Sequence, residues 1–132
     1  DRANRTFLAM ASVEGGVEIE QVARDNPDAL AMIRVDALEG CTPEKAREIV
    51  AAARFPEDVA DAVQHVLVTL WDVLTGEDAT LVEVNPLVKT ADGRVLVVGE
   101  VSGRHRRRRC WNGPSTDRSP CLQIARCRFR PW

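Results

Sequence analysis

Apolar and polar positions along the chain change rhythm several times, and each change marks an element. Thr6 to Val13 is a short, nearly continuous apolar run, the pattern of a buried strand, and Gly15-Gly16 breaks it. Val17-Glu18-Ile19-Glu20-Gln21-Val22-Ala23 begins a short helix whose acidic first turn suits the positive end of the helix dipole; Asn26-Pro27 ends it. Met32 to Val35 reads as a short strand. Thr42 then Pro43 is a helix start, a hydroxyl cap followed by proline at the first helical position, for a helix running to about Ala53. Pro56-Glu57-Asp58 opens the longest element, in which Val59, Ala62, Val63, Val66, Leu70, Val73 and Leu74 recur at the spacing of one buried face. Gly76 is expected to cap its C-terminus. A strand through Leu81 to Val88, a hairpin turn at Ala91-Asp92-Gly93 and a return strand from Arg94 to Val98 follow.

Helices and strands alternate irregularly, and one link is a hairpin. The expected class is α+β, or open α/β, with a mixed sheet and flanking helices. No internal repeat is visible. At 132 residues the chain has room for one domain and one sizeable core. Its 45% hydrophobic and 29% charged residues are ordinary for a soluble protein. It has no apolar run of membrane-crossing length and opens Asp1-Arg2-Ala3-Asn4-Arg5 without a signal-like segment. The expected location is the bacterial cytoplasm, with no membrane partner. The missing initiator Met suggests a piece of a longer chain.

Charge divides the chain in two. Residues 1 to 103 hold nine Arg and Lys against nineteen Asp and Glu, whereas residues 104 to 132 hold nine Arg against one Asp. The small net charge of −2 hides this reversal. The break lies near Val101 to Arg104, separating a body, residues 1–101, from an Arg-rich tail, residues 102–132, that is expected to be disordered. Such a tail binds polyanions, nucleic acid included, without sequence preference. Arg106 to Arg109, Trp111 and Phe129 would make the contacts if nucleic-acid binding were its role.

Candidate chemistry centres on Glu83-Val84-Asn85-Pro86-Leu87. In a strand the side chains of Glu83 and Asn85 share a face, and two hard oxygen ligands suit Mg²⁺, which completes its octahedron with water and nucleotide phosphates. Other features carry less. Glu14-Gly15-Gly16 lacks the Lys and Ser or Thr of a phosphate-binding loop and reads as a strand-to-helix turn. His65, between Ala62 and Val66, reads as a partly buried structural residue. Cys41, Cys110, Cys121 and Cys127 form no CxxC pair and match no common zinc spacing, so free thiols are expected.

Two blocks, Ala11-Ser12-Val13-Glu14-Gly15-Gly16-Val17-Glu18-Ile19-Glu20 and Gly76-Glu77-Asp78-Ala79-Thr80-Leu81-Val82-Glu83-Val84-Asn85-Pro86-Leu87, together resemble the nucleotide-binding domain of the succinyl-CoA synthetase beta subunit, in the ATP-grasp superfamily. The resemblance covers residues 1 to 96. It implies most of the second ATP-grasp lobe, with part of its metal site, and binding chemistry for Mg²⁺ and ATP or ADP. It also implies a role in forming succinyl-CoA in the tricarboxylic acid cycle, beside an alpha subunit that carries the phosphohistidine. Asn85 aligns with a metal-binding Asn, Glu83 lies beside it in the same motif, and no catalytic residue is assigned. A malate-CoA ligase or an ATP-citrate lyase relative is the alternative of the same chemistry; a non-catalytic interaction module is the alternative of another class.

The chain also departs from that family. Counting from Asn85, the place of its second metal ligand, an Asp on the return strand, falls on Gly99; Asp92 in the turn is no obvious substitute, and Glu100 is expected on the opposite face. The family's nucleotide-binding lysine and glycine loop and its coenzyme A ligase domain have no counterpart here, so the chain is not expected to turn over alone. The Arg run stands where the family is Asp-rich, and GAC codons read one base out of step become CGA. From about Val97 onward the sequence therefore has the look of a shifted reading frame, with a genuine basic tail as the alternative.

Overall fold

The apolar run after Arg5 forms β1, Thr6–Ser12, in the computed structural model of the chain, which describes residues 6–14, 19–77, 79–105 and 122–131, with the backbone path alone at 80, 98–105 and 122–131. After it come α1, Ile19–Asp25, a single 3-10 turn at Pro27–Ala29, and β2, Leu30–Asp36. The helices α2, Pro43–Ala52, and α3, Glu57–Gly76, lead to the hairpin of β3, Ala79–Lys89, and β4, Val95–His105; the final element is β5, Leu122–Pro131. Thr42 caps α2 as its position predicts, its hydroxyl accepting the Lys45 N–H at 3.3 Å.

The five strands lie in the order β2-β1-β5-β3-β4, and every neighbouring pair is antiparallel. The α+β class holds, but the expected mixed sheet does not. β1 and β3 do run the same way, yet β5 lies between them and opposes both, so no parallel pair arises among the described residues. β5 also departs from the expectation of a tail without regular structure. The reason is visible in Ala125-Arg126-Cys127-Arg128-Phe129-Arg130-Pro131, where small or apolar residues alternate with arginine at the period of a strand. The excess of arginine obscures that alternation. Residues 106–121 lie outside the described residues.

The core sits between the sheet and the pair α2 and α3. Ala9 and Ala11 of β1, Val35 of β2, and Val82, Val84 and Leu87 of β3 bury against Ile49 and Val50 of α2 and Val59, Val63, Leu67, Leu70 and Leu74 of α3. Phe7 meets Trp71 edge to face, with ring centres 5.0 Å apart. A smaller cluster forms on the other side of the sheet, where Leu8, Met10 and Leu30 pack with Ile19 and Val22 of α1. Strand periodicity thus feeds two layers from one sheet.

The buried stripe of α3 is rotated from the expected one. Leu67 and Trp71 belong to it, whereas Ala62 is exposed, Val66 is only partly buried and Val73 is 38% exposed. Steps of four from Val59 to Val63 to Leu67 to Trp71 set the axis of contact, and Ala62 and Val73 fall on its flank. Nor does Gly76 act as a left-handed cap. It is the last helical residue, and the helix closes through the Glu77 N–H donating to the Val73 carbonyl at 3.0 Å. A left-handed glycine is needed instead at Gly40, φ +74, in the connection from β2 to α2. A Cβ there would lie 2.7 Å from Trp71 Nε1.

Candidate functional site

The β3–β4 hairpin is held firmly at its turn. Gly93, at φ +85, takes the left-handed conformation, and its N–H donates to the Thr90 carbonyl at 2.9 Å. The buried Thr90 hydroxyl accepts the Arg94 N–H at 3.0 Å and also pairs with Asp92. Asp92 accepts from Arg94 Nε at 2.7 Å, and these bonds, that of Thr90 foremost, hold its carboxyl below the usual carboxylate range. Lys89 pairs with Asp58 in the first turn of α3, tying the end of β3 to the helix.

From this anchored end β3 runs inward, and its alternate side chains divide. Val82 and Val84 are fully buried in the core under α3, while Glu83 and Asn85 take the opposite face and are half-buried. Asn85 Oδ1 is buried and has no hydrogen-bond partner among the described residues. Leaving such an oxygen unsatisfied costs about 1–3 kcal/mol. A hard cation takes amide and carboxylate oxygens readily, so this orphaned oxygen, two residues from Glu83, fits a role as a cation ligand. Among the described residues, no group of three or more His, Cys, Asp and Glu side chains could hold a metal ion. Glu83 and Asn85, the two residues expected as ligands, lie on one face of β3, as strand alternation requires.

The pairing of β4 alters one expectation. Near the turn Leu87 pairs with Val97, Val88 with Leu96 and Lys89 with Val95, and an unbroken count would set Gly99 opposite Asn85. The register shifts between Asn85 and Leu87, so that Asn85 pairs with Glu100, Val84 with Val101 and Glu83 with Ser102. Glu100, expected on the opposite face, is the register partner of Asn85. A bulge of one residue is invisible in a linear count, and a one-residue slip reverses every assignment beyond it.

The remaining candidates lie elsewhere. Glu14 accepts from Asn26 Nδ2 at 2.8 Å, and its own N–H donates to Ser12 Oγ at 3.0 Å, which ties the end of β1 to the end of α1. Gly15 and Gly16 lie outside the described residues, as do Cys110 and Cys121. His65 is exposed on α3 rather than partly buried, its carbonyl accepting the Thr69 hydroxyl at 2.9 Å. Cys41 is a buried free thiol, pushed up to about 11 mainly by its burial, with Lys45 opposing the shift and Asp72 adding to it. A thiol so disposed is inert packing.

Residues 1–89 match the family model described as an ATP-grasp domain. The chain belongs to the ATP-grasp family, whose members bind ATP and carry out ligase-type chemistry. No described helix is long and apolar enough to cross a membrane.

Proposed function

We propose that the chain is the Mg²⁺- and nucleotide-binding part of the ATP-grasp domain of a succinate-CoA ligase, of beta-subunit type. The observation that carries this reading is the buried, unpartnered Asn85 Oδ1 beside Glu83 on β3. Family membership supports the nucleotide, and the two sequence blocks around Glu14 and Asn85 support the acid-CoA ligase. When bound, Mg²⁺ neutralises the charge of nucleotide phosphates during phosphoryl transfer. Asn85 offers its amide oxygen and Glu83 its carboxylate, both presented by a strand that Thr90, Asp92 and the Lys89–Asp58 pair keep from shifting. The chain positions charge, and the histidine that accepts the phosphoryl group belongs to a separate alpha-type subunit.

Two oxygens on one strand bind weakly. Titration of the labelled chain with Mg-ADP, followed by amide shifts, is expected to move residues 83–85 with an affinity weaker than micromolar; Asn85→Ala removes the effect. Shifts confined to other residues, or unchanged binding in that variant, would place the nucleotide elsewhere. Adding a phosphohistidine-bearing alpha-type subunit separates the acid-CoA ligase from other ATP-grasp enzymes. It should bind the chain and perturb the same residues, and absence of binding argues against the succinate-CoA ligase.

A further inference from the structure

The turn between β3 and β4 joins Asp92 to Gly93, a pair in which the aspartyl side chain can close on the next backbone nitrogen, since glycine has no Cβ to obstruct the approach. In that closure the Gly93 nitrogen attacks Cγ of a protonated Asp92 carboxyl. The Cγ–N bond forms, a Cγ–O bond breaks, and the carboxyl hydroxyl leaves with the amide hydrogen as water. Water then opens the succinimide ring at either carbonyl, giving back aspartate or giving isoaspartate, in which the backbone runs through the side chain. The reaction needs a protonated carboxyl and a free amide. The folded turn withholds both. Thr90 Oγ donates to Asp92 Oδ1 and Arg94 Nε to Oδ2 at 2.7 Å, so each carboxylate oxygen is engaged. Both bonds favour the ionised form, which is a poor electrophile and has no hydroxyl to lose. The Gly93 N–H donates to the Thr90 carbonyl at 2.9 Å, and the Thr90 N–H to the Arg94 carbonyl at 2.9 Å, closing the turn around the nitrogen. Arg94 is the charged group that faces this carboxyl; Lys89, three residues before it, pairs with Asp58 of α3.

From this we infer that Asp92–Gly93 is a latent isoaspartate-forming site, kept unreactive in the folded chain by the Thr90 hydroxyl and Arg94. The inference is independent of the cation reading of Asn85. Thr90 is a positioning residue: its hydroxyl also accepts the Arg94 N–H at 3.0 Å, so the backbone of the turn fixes where it points. It is buried, whereas Asp92 and Gly93 are exposed. Solvent thus reaches the reacting pair, while the group that restrains it is shielded. Isoaspartate places one additional carbon in the backbone of the turn and displaces the Gly93 N–H from the Thr90 carbonyl. The modification would therefore loosen the end of the hairpin that anchors β3.

Incubation of the full chain at neutral pH tests the assignment, with isoaspartate read as methyl groups transferred from S-adenosylmethionine by an isoaspartyl methyltransferase and located by peptide mapping. Isomerisation at Asp92 is expected to be slower by roughly tenfold or more in the folded chain than in the same chain held in denaturant. Thr90→Val, which keeps the shape of the side chain and removes the hydroxyl, should speed it by roughly threefold or more. Arg94→Gln, on the exposed side of the turn, should speed it by about twofold and carries the test if Thr90→Val fails to fold. The Asp92 carboxyl carbon, followed by NMR, should titrate at lower pH in the parent than in Thr90→Val, since hydrogen bonds to the ionised form hold the proton off. A faster Thr90→Val whose titration is unmoved means that the turn has only loosened, and overturns the role of the hydroxyl. Equal rates in the folded and denatured parent, or variants as slow as the folded parent, would overturn the inference as a whole.

Discussion

The two faces of β3 differ sharply in what they bury. On one, Val82, Val84 and Leu87 are fully buried and belong to the apolar cluster that includes α3. On the other, within the same residues of the same strand, Glu83 and Asn85 are half-buried, and one amide oxygen is sealed from water without a partner. The first arrangement lowers the free energy of the fold, and the second raises it. A strand that alternates between them separates its stabilising residues from its costly ones residue by residue. The cost of the polar face, about 1–3 kcal/mol for an orphaned oxygen, is small beside the burial of three aliphatic side chains at roughly 1.5–3 kcal/mol each.

The comparison breaks first if the apolar side is not the seat of stability. Leu70 of α3 is 4% exposed and packs in the same cluster as Val84. Leu70→Asp places an unpaired charge there, and a loss of about 3–5 kcal/mol is expected, enough to unfold a domain of this size. Circular dichroism melting reads the result, and an unchanged midpoint refutes the packing of α3 on the sheet.

A smaller loss is expected at Gly40, whose backbone is left-handed and whose missing Cβ leaves room for the Trp71 indole. Gly40→Ala combines left-handed strain of about 1–2 kcal/mol with displacement of Trp71 from Phe7, so about 2–3 kcal/mol should be lost. Chemical denaturation measures it. A loss under about 0.5 kcal/mol shows that Trp71 yields freely and that this end of the core is loosely packed.

The same side of the molecule should respond to alkali through Cys41. Its folded pKa is raised to about 11 from 9.0, so the folded state favours the neutral thiol. The unfolded thiol ionises first as pH rises, so its contribution to stability is full below pH 9 and is lost progressively between about 9 and 11. Up to about 3 kcal/mol is involved. The slope of stability against pH in that window should flatten in Cys41→Ala, and an identical slope in both proteins refutes the assignment.

Much of this division was legible beforehand. Thr42-Pro43 marks the start of α2 through local chemistry, and the Glu83-Asn85 spacing places both residues on one face through strand geometry alone. What escaped depends on contacts distant in sequence. The buried stripe of α3 includes Leu67 and Trp71 through contacts with residues distant in sequence, such as that of Trp71 with Phe7, more than fifty residues away. The strand β5 is hidden because three of its four polar positions are arginine, a composition that suggests a solvated tail unless the alternation is read first. The pairing of Asn85 with Glu100 follows from a bulge, and a bulge leaves no mark in periodicity.

The smallest expected effect on stability is also the sharpest test of the comparison, because it falls on the polar face. Asn85→Ala removes an oxygen that is buried and unpaired, so no hydrogen bond of that oxygen is lost. Relief of the unsatisfied group offsets the lost packing of a half-buried side chain, and the change should lie within about 0.5 kcal/mol of zero or be slightly stabilising. Denaturant midpoints for the two proteins, measured without divalent cation, decide this. Added Mg²⁺ should then shift the parent midpoint upward, since a ligand that binds only the folded chain stabilises it by mass action, and leave Asn85→Ala where it was. A loss of more than about 1 kcal/mol in the metal-free variant means that Asn85 holds the fold together, and the division of β3 into a stabilising and a binding face fails.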